Sequence, residues 1–183
     1  MPRLALVIGI DYENSVAPPL HGVADADEIQ KYLRDHGVPS DHIKNLRSPH
    51  NEGSIPATKV NILNALSDLK TSDIDWDEPI LIYFAGHGDQ MQAPEGWLAE
   101  GGKIQYLLPQ DVGRNAQGEI INIIPGFVIA ARLAELAAVK GSNIVCSGTR
   151  FGQTDDLDAD LWFDARLSSL TAAILMGAPE PAT

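Results

Sequence analysis

Two residues of this sequence, His87 and Cys146, have side chains suited to nucleophilic attack on a carbonyl group. His87 follows the apolar run Ile80 to Ala85 and stands between two glycines. Cys146 is the one cysteine of the chain and follows the short stretch Asn143 to Val145. A thiolate can attack the carbonyl carbon, while a histidine supports the thiolate and protonates the leaving amine. The two residues therefore form a candidate catalytic dyad.

Each of the two residues is predicted to lie at the carboxyl end of a parallel strand, where ligands bind in open α/β sheets. The glycines beside His87 leave its ring unshielded, so a substrate backbone could approach it. Gly88 and Gly148 are candidates for the open backbone that binds an oxyanion. The alternatives are that His87 is a loop residue bonded to backbone and that Cys146 is a small buried hydrophobe.

The hydrophobic pattern alternates between strand and helix along the chain. The predicted strands are Leu4–Ile10, His42–Leu46, one from Ile80, a short one at Asn143–Cys146 and a further one at Leu170–Met176. The predicted helices run from Asp25 to a stop at Gly37, over Thr58–Lys70, and over Phe127–Val139 with Gly141 as the cap. The segment Gln92–Glu119, with an apolar patch at Ile104–Leu108, is predicted to be a hairpin or an extended excursion at the carboxyl edge of the sheet. This order predicts a three-layer α/β fold, a mostly parallel sheet with helices on both faces.

Composition limits the partners. The formal charge of −12, with only 13 Lys and Arg, argues against nucleic acid or an anionic membrane and favours basic substrates. No run of apolar residues is long enough to span a membrane. A single cysteine allows neither an intrachain disulfide nor a cysteine zinc site, and no metal or cofactor is predicted from the residues.

The 183 residues are predicted to form one domain over residues 1–178, followed by a disordered tail at 179–183. The amino terminus leads from Met1 straight into the first strand without a cleavage-site pattern. We therefore expect a cytoplasmic protein, with the nucleus as a second location. The sequence leaves the oligomeric state open.

Four ordered motifs resemble those of one peptidase family, the metacaspases, and most closely the fungal caspase-domain members. The motifs are Gly9-Ile10-Asp11-Tyr12, Leu20-His21-Gly22-Val23-Ala24-Asp25-Ala26, Tyr83-Phe84-Ala85-Gly86-His87-Gly88 and Leu107-Leu108-Pro109-Gln110-Asp111. The resemblance implies a caspase-like fold and a cysteine endopeptidase that cleaves after arginine or lysine.

The resemblance also assigns roles to individual residues. His87 matches the catalytic histidine, and Asp25 matches the aspartate that receives the basic side chain in the specificity pocket. Asp25 has a competing role as an acidic residue at the start of a helix. The 59 residues from His87 to Cys146 are close to the roughly 50 of caspase-type signatures.

Around the cysteine the chain departs from the family pattern, and two registers are open. Aligning Cys146-Ser147-Gly148 with the family motif keeps the nucleophile but on a strand shortened by several residues. Aligning Ser147 to Arg150 with the residues that follow the motif makes Cys146 a bystander. The second register favours a catalytically inactive caspase-fold protein that binds or regulates. A flavodoxin-like nucleotide binder is a remote third reading, because no phosphate loop is present.

The resemblance also suggests autoprocessing and a response to calcium, although the residues support these two features less than the four motifs support the family. Family members often autoprocess after the cysteine strand, where Arg150 and Arg166 are basic. They often respond to calcium, for which the aspartates at 155, 156, 158 and 160 offer oxygen ligands without the spacing of a defined calcium loop. The chain also ends before the remaining elements of the family's smaller part.

Overall fold

The computed structural model describes residues 1–13, 15–93 and 102–148, together with the backbone of Ala165–Arg166. The strands are β1 (Leu4–Ile10), β2 (Ile43–Ser48), β3 (Ile55–Pro56), β4 (Ile80–Ala85), β5 (Gly88–Gln92), β6 (Lys103–Leu107), β7 (Gly113–Arg114), β8 (Ile120–Ile121), β9 (Ile124–Pro125), β10 (Ile144–Gly148) and β11 (Ala165–Arg166). The helices are α1 (Gly22–Asp35), α2 (Lys59–Asp68) and α3 (Gly126–Lys140), with short 3₁₀ turns at Ser40–His42 and Leu69–Thr71.

The central sheet has the strand order β11-β10-β4-β1-β2-β3. All of its described pairings are parallel except that of β10 with β11. Apolar residues fill both faces of β1, with Ala5 and Val7 towards α1 and Leu6 and Ile8 in the core that contains α2 and α3. The predicted mostly parallel α/β fold is confirmed, and the unbroken apolar run of β1 reflects burial on both faces.

The excursion between β4 and α3 forms a small antiparallel sheet in the order β5-β6-β9. The segment after β6 ties this excursion to the start of α2. The Gln110 N–H donates to Ala57 O at 3.0 Å, and the Asp111 carboxylate accepts the Lys59 N–H at 2.8 Å. Asp111 therefore caps α2 from 52 residues away, in addition to the local cap Thr58, whose hydroxyl accepts the Asn61 N–H at 3.3 Å.

The boundaries of α1 agree with the sequence at one end and differ at the other. The helix begins at Gly22, three residues before the predicted start at Asp25, because the Asp11 carboxylate accepts the Val23 N–H at 2.8 Å and satisfies a free amide of the first turn. The predicted stop is confirmed. Gly37 has φ +85°, and the Val38 N–H returns to Leu33 O at 3.0 Å, as a glycine-terminated helix requires.

Strand β2 continues past the predicted end at Leu46 and includes Arg47, which is 1% exposed. A buried guanidinium needs several acceptors. The Arg47 side chain donates to the Asp27 carboxylate at 2.9 Å, to Gln30 at 3.1 Å and to Val7 O at 2.8 Å. These acceptors come from β1 and α1, so the local sequence did not indicate them.

Strand β10 has five residues instead of the predicted four, and it ends at Gly148 instead of Cys146. Ser147 and Gly148 belong to the strand because they lie opposite Tyr83 and Phe84 of β4. The predicted strand at Leu170–Met176 and the predicted tail at 179–183 lie outside the described residues. Within the described part of the chain, no helix has the length and apolarity needed to cross a bilayer.

Candidate active site

His87 lies just beyond the carboxyl end of β4, between that strand and β5, and it is partly exposed. Its Nε2 lies 3.0 Å from the backbone oxygen of Pro18. A carbonyl oxygen only accepts hydrogen bonds, so Nε2 carries the proton in this contact. In the neutral ring Nδ1 is then the nitrogen that can accept a proton, which is what a general base requires.

The backbone on either side of His87 is held by Tyr12 and Leu108. The His87 N–H donates to the Tyr12 hydroxyl at 2.7 Å, and the His87 C=O accepts the Leu108 N–H at 3.0 Å. The Tyr12 hydroxyl donates in turn to Leu108 O at 2.5 Å. Three segments that are far apart in the sequence therefore meet at the histidine.

Gly86 is required here for a reason other than the expected access of a substrate backbone. A Cβ at this position would lie 2.7 Å from the ring of Phe84 and 2.8 Å from the Tyr12 hydroxyl. Both distances are shorter than van der Waals contact allows. The missing side chain makes room for residues of this same chain.

Asp25 lies in the first turn of α1 and is partly exposed. The helix comes close to the end of β4, since a Cβ on Gly22 would lie 2.3 Å from Ala85 O. Burial raises the pKa of Tyr83 on β4, and the charge of Asp25 raises it further. Among the described residues the Asp25 carboxylate has no hydrogen bond or ion pair, so it is available to bind a cation.

Cys146 is in a different environment from His87 and Asp25. It is the middle residue of β10, is 7% exposed, and belongs to the same core as Ile82, Ile144 and Leu136. Burial raises the pKa of its thiol from 9.0 to about 12. The environment provides no described positive charge that would stabilise a thiolate, so the thiol is protonated at neutral pH.

The register of the sheet separates the two members of the candidate dyad. Cys146 lies opposite Ile82, whereas β4 continues to Ala85 before it reaches His87. Ala85 alone is about 10 Å further along the strand, at about 3.3 Å per residue. The structure thus confirms that neighbouring parallel strands carry the two residues, but it puts the thiol in the core and the imidazole at the edge.

The two candidate oxyanion glycines lie in strands. Gly88 is the first residue of β5, is buried and pairs with Leu107. Gly148 is the last residue of β10, is partly exposed and lies opposite Phe84. Their role at an oxyanion stays a prediction.

No group of three or more His, Cys, Asp or Glu side chains that could hold a metal ion occurs in the part of the chain that the structure describes. The predicted calcium ligands at 155, 156, 158 and 160, and Arg150, lie outside the described residues. Calcium binding therefore stays a prediction.

Sequence reasoning did not assign a role to Tyr12 or Asp11, although both stand in the first motif. Tyr12 bonds to His87, and Asp11 caps α1 next to the same edge. The motif itself was the available signal. The partners of these two residues are 12 or more positions away, so spacing along the chain could not reveal them.

One family model, described as metacaspase, peptidase C14 domain, matches residues 3–134. The chain belongs to the metacaspase family. The matched stretch is 132 of the 183 residues and includes Asp25 and His87. It ends before β10, so the cysteine strand of this metacaspase domain lies outside the part that carries the family match.

Among solved structures, the metacaspase chain is similar to the crystal structure of protein GSU0716 from Geobacter sulfurreducens, at 13% sequence identity and a TM-score of 0.55. The match covers 82% of this chain and 48% of that one, so this chain spans about half the length of the structure it resembles. At this identity the likeness supports the fold alone. No curated protein matches the chain.

Proposed function

We propose that this metacaspase domain is a cysteine endopeptidase that acts on peptide bonds after arginine or lysine. His87 is its general acid/base, and Asp25 binds the basic side chain of the substrate. The observation that carries the proposal is the fixed position of His87 at the carboxyl edge of the sheet, with Nε2 on Pro18 O and Nδ1 left to exchange a proton.

The acidic character of the chain supports the proposed binding of a basic side chain by Asp25. Asp25 is an acidic side chain without a described partner at the helix end that approaches the carboxyl end of β4. A charge-assisted hydrogen bond to a guanidinium or ammonium group is stronger than a neutral one. The net charge of −12 also attracts basic peptides from a distance.

Cleavage requires a nucleophile, and Cys146 is the one thiol that this chain contains. His87 would take the proton of the thiol, and the sulfur would add to the substrate carbonyl. The C–N bond would then break as the leaving amine takes that proton from His87, and water would hydrolyse the thioester to a carboxylic acid and the free thiol. The thiol has to leave the core before it can react. A cleaving chain therefore needs a second arrangement of β10, in which Cys146 reaches the edge.

The burial of Cys146 favours a second candidate function, the binding of basic peptides without cleavage. In this case Asp25 would hold the arginine or lysine side chain, and Cys146 would be a core residue. This candidate needs no rearrangement of β10. It corresponds to the alignment in which Ser147 to Arg150 match the residues that follow the family motif and Cys146 is not the nucleophile.

Hydrolysis and binding have to be measured separately to distinguish the two functions. The chain is incubated with a fluorogenic peptide that ends in arginine and with a matched peptide that ends in glutamine. A peptidase cleaves the first peptide only, and both Cys146→Ala and His87→Ala abolish the cleavage. A Cys146→Ala variant that cleaves as fast as the parent disproves the dyad.

Binding is followed by calorimetry with an uncleavable arginine peptide. Asp25→Asn should lower the affinity at least tenfold, because the charge-assisted hydrogen bond to the basic side chain depends on the carboxylate charge. Glu28→Gln is the matched control, since Glu28 is an exposed carboxylate on the same helix. Binding without hydrolysis identifies the second candidate, and equal losses in both variants would contradict the role of Asp25.

A further inference from the structure

Tyr12 is the residue on which the contacts of His87 converge. Its hydroxyl accepts the His87 N–H at 2.7 Å and donates to Leu108 O at 2.5 Å. Leu108 completes the triangle, since its own N–H donates to His87 O at 3.0 Å. One hydroxyl therefore connects the loop after β1, the turn after β4 and the end of β6.

The Tyr12 side chain also contacts the imidazole directly. The two ring centroids are 4.7 Å apart, with an angle of 37° between the ring planes. Aromatic rings at this separation attract each other, so the contact restricts the orientation of the histidine. With Pro18 O on Nε2, the imidazole is held by a ring face on one side and by a hydrogen bond on another.

The backbone of Tyr12 has an unfavourable conformation, which indicates that its contacts are strong enough to keep the residue in place. Tyr12 has φ +60°, which is unfavourable for a residue with a large side chain, and a strained backbone of this kind persists only where the surroundings enforce it. The side chain is 1% exposed. Burial raises the pKa of its hydroxyl, which keeps the proton that Leu108 O accepts.

We propose that Tyr12 is a positioning residue for His87. Its hydroxyl fixes the backbone of His87, and its ring fixes the imidazole so that Nε2 stays on Pro18 O and Nδ1 stays free to accept a proton. The inference rests on the proposed function only in taking His87 as the acid/base. The arrangement of the ring can be measured whether or not the chain cleaves peptides.

The test uses Tyr12→Phe, with Tyr83→Phe as the matched control. Tyr83 is also a buried tyrosine next to the same edge, and no described residue forms a hydrogen bond with its hydroxyl. In the Tyr12→Phe variant we expect the His87 amide proton to exchange with solvent at least tenfold faster, because it loses its acceptor. Because the His87 backbone is then no longer held by the hydroxyl, the imidazole should leave Pro18 O more often, even though phenylalanine keeps the ring contact. The ¹⁵N shifts of the two ring nitrogens should therefore converge, while Tyr83→Phe keeps the parent values.

A second measurement guards against misfolding of Tyr12→Phe. Incorporation of 3-fluorotyrosine at position 12 preserves the shape but weakens the phenol oxygen as an acceptor. The His87 amide proton should then move upfield, and the same label at Tyr83 should leave it unchanged. Unaltered His87 amide and ring signals in the Tyr12 variants overturn the proposal.

In a chain that cleaves the arginine peptide, the kinetic constants give an independent readout. A misplaced base lowers kcat by about 10-fold to 100-fold with little change in KM. A raised KM with unchanged kcat would assign Tyr12 to substrate binding instead and would overturn the positioning role. If no variant of the chain cleaves, the NMR results still decide the inference.

Discussion

His87 and Cys146 are carried by adjacent parallel strands, yet their surroundings differ in polarity and in access. His87 stands beyond the end of β4, where the Tyr12 hydroxyl, the Pro18 carbonyl and the Leu108 N–H form hydrogen bonds with it. Cys146 stands in the middle of β10, where aliphatic side chains cover it and raise its pKa to about 12. Adjacency of strands is therefore not sufficient to form a dyad. The register along the strands decides whether two side chains meet.

The largest expected effect concerns the reactivity of the thiol. Raising the pKa from 9.0 to about 12 lowers the thiolate fraction at neutral pH by about 10³. Cys146 should react with iodoacetamide about 10³-fold more slowly in the folded chain than in denaturant, as measured by mass spectrometry over time. Rapid alkylation of the folded chain would show that β10 opens and brings the thiol to the edge.

A smaller effect, on stability, is expected when a methyl group is added next to His87. Gly86→Ala puts a methyl group within 2.8 Å of both Phe84 and the Tyr12 hydroxyl, so one of them has to move. We expect the free energy of unfolding to fall by about 2 kcal/mol in urea titrations. The control is Gly113→Ala, where the nearest atom to a Cβ is 3.8 Å away, an ordinary contact, and φ is not in the left-handed region. A loss at Gly86 no larger than the loss at Gly113 would contradict the close packing.

Alkaline pH should destabilise the folded chain through Cys146, in addition to the buried tyrosines, whose pKa is also raised. The unfolded thiol ionises near pH 9 and the folded thiol near 12, so above pH 9 the unfolded state binds fewer protons and stability decreases as pH rises. This contribution is about 1.4 kcal/mol at pH 10. It is measured as the loss of unfolding free energy from pH 8 to 10 in the parent minus that in Cys146→Ala. Identical losses in both proteins would mean that the thiol is not desolvated.

The smallest expected effect is at the start of α1, which carries Asp25. Asp11→Ala removes the acceptor of the Val23 N–H and should cost about 1 kcal/mol of stability, detected as a lower unfolding midpoint. Glu13→Ala is the control, because Glu13 is exposed and close in sequence. If the two variants unfold at the same midpoint, then Asp11 does not act as a cap.

Sequence reasoning was most accurate where structure depends on local apolar runs. The bounds of β1 and the start of β4 follow directly from such runs, and Gly37 and Gly141 end their helices as expected. The family assignment was also reached from four motifs. These features need no knowledge of distant contacts.

The remaining features depend on partners that the sequence does not reveal. α1 starts early because of Asp11, and β2 extends because Arg47 finds acceptors on β1 and α1. The position of Cys146 depends on a register with β4 that its short apolar run could not indicate. The sequence thus predicted which residues have side chains suited to catalysis. The non-local contacts determined which of them lie at the carboxyl edge of the sheet.

The cap that Asp111 gives to α2 also has a consequence for the order of folding. Thr58 is three residues from its amide partner, so this cap can form as soon as the helix nucleates. Asp111 is 52 residues from Lys59, and closing that loop carries an entropic cost. The first turn of α2 therefore reaches its full stability only after the antiparallel excursion has docked, which couples a local helix to a contact 52 residues away.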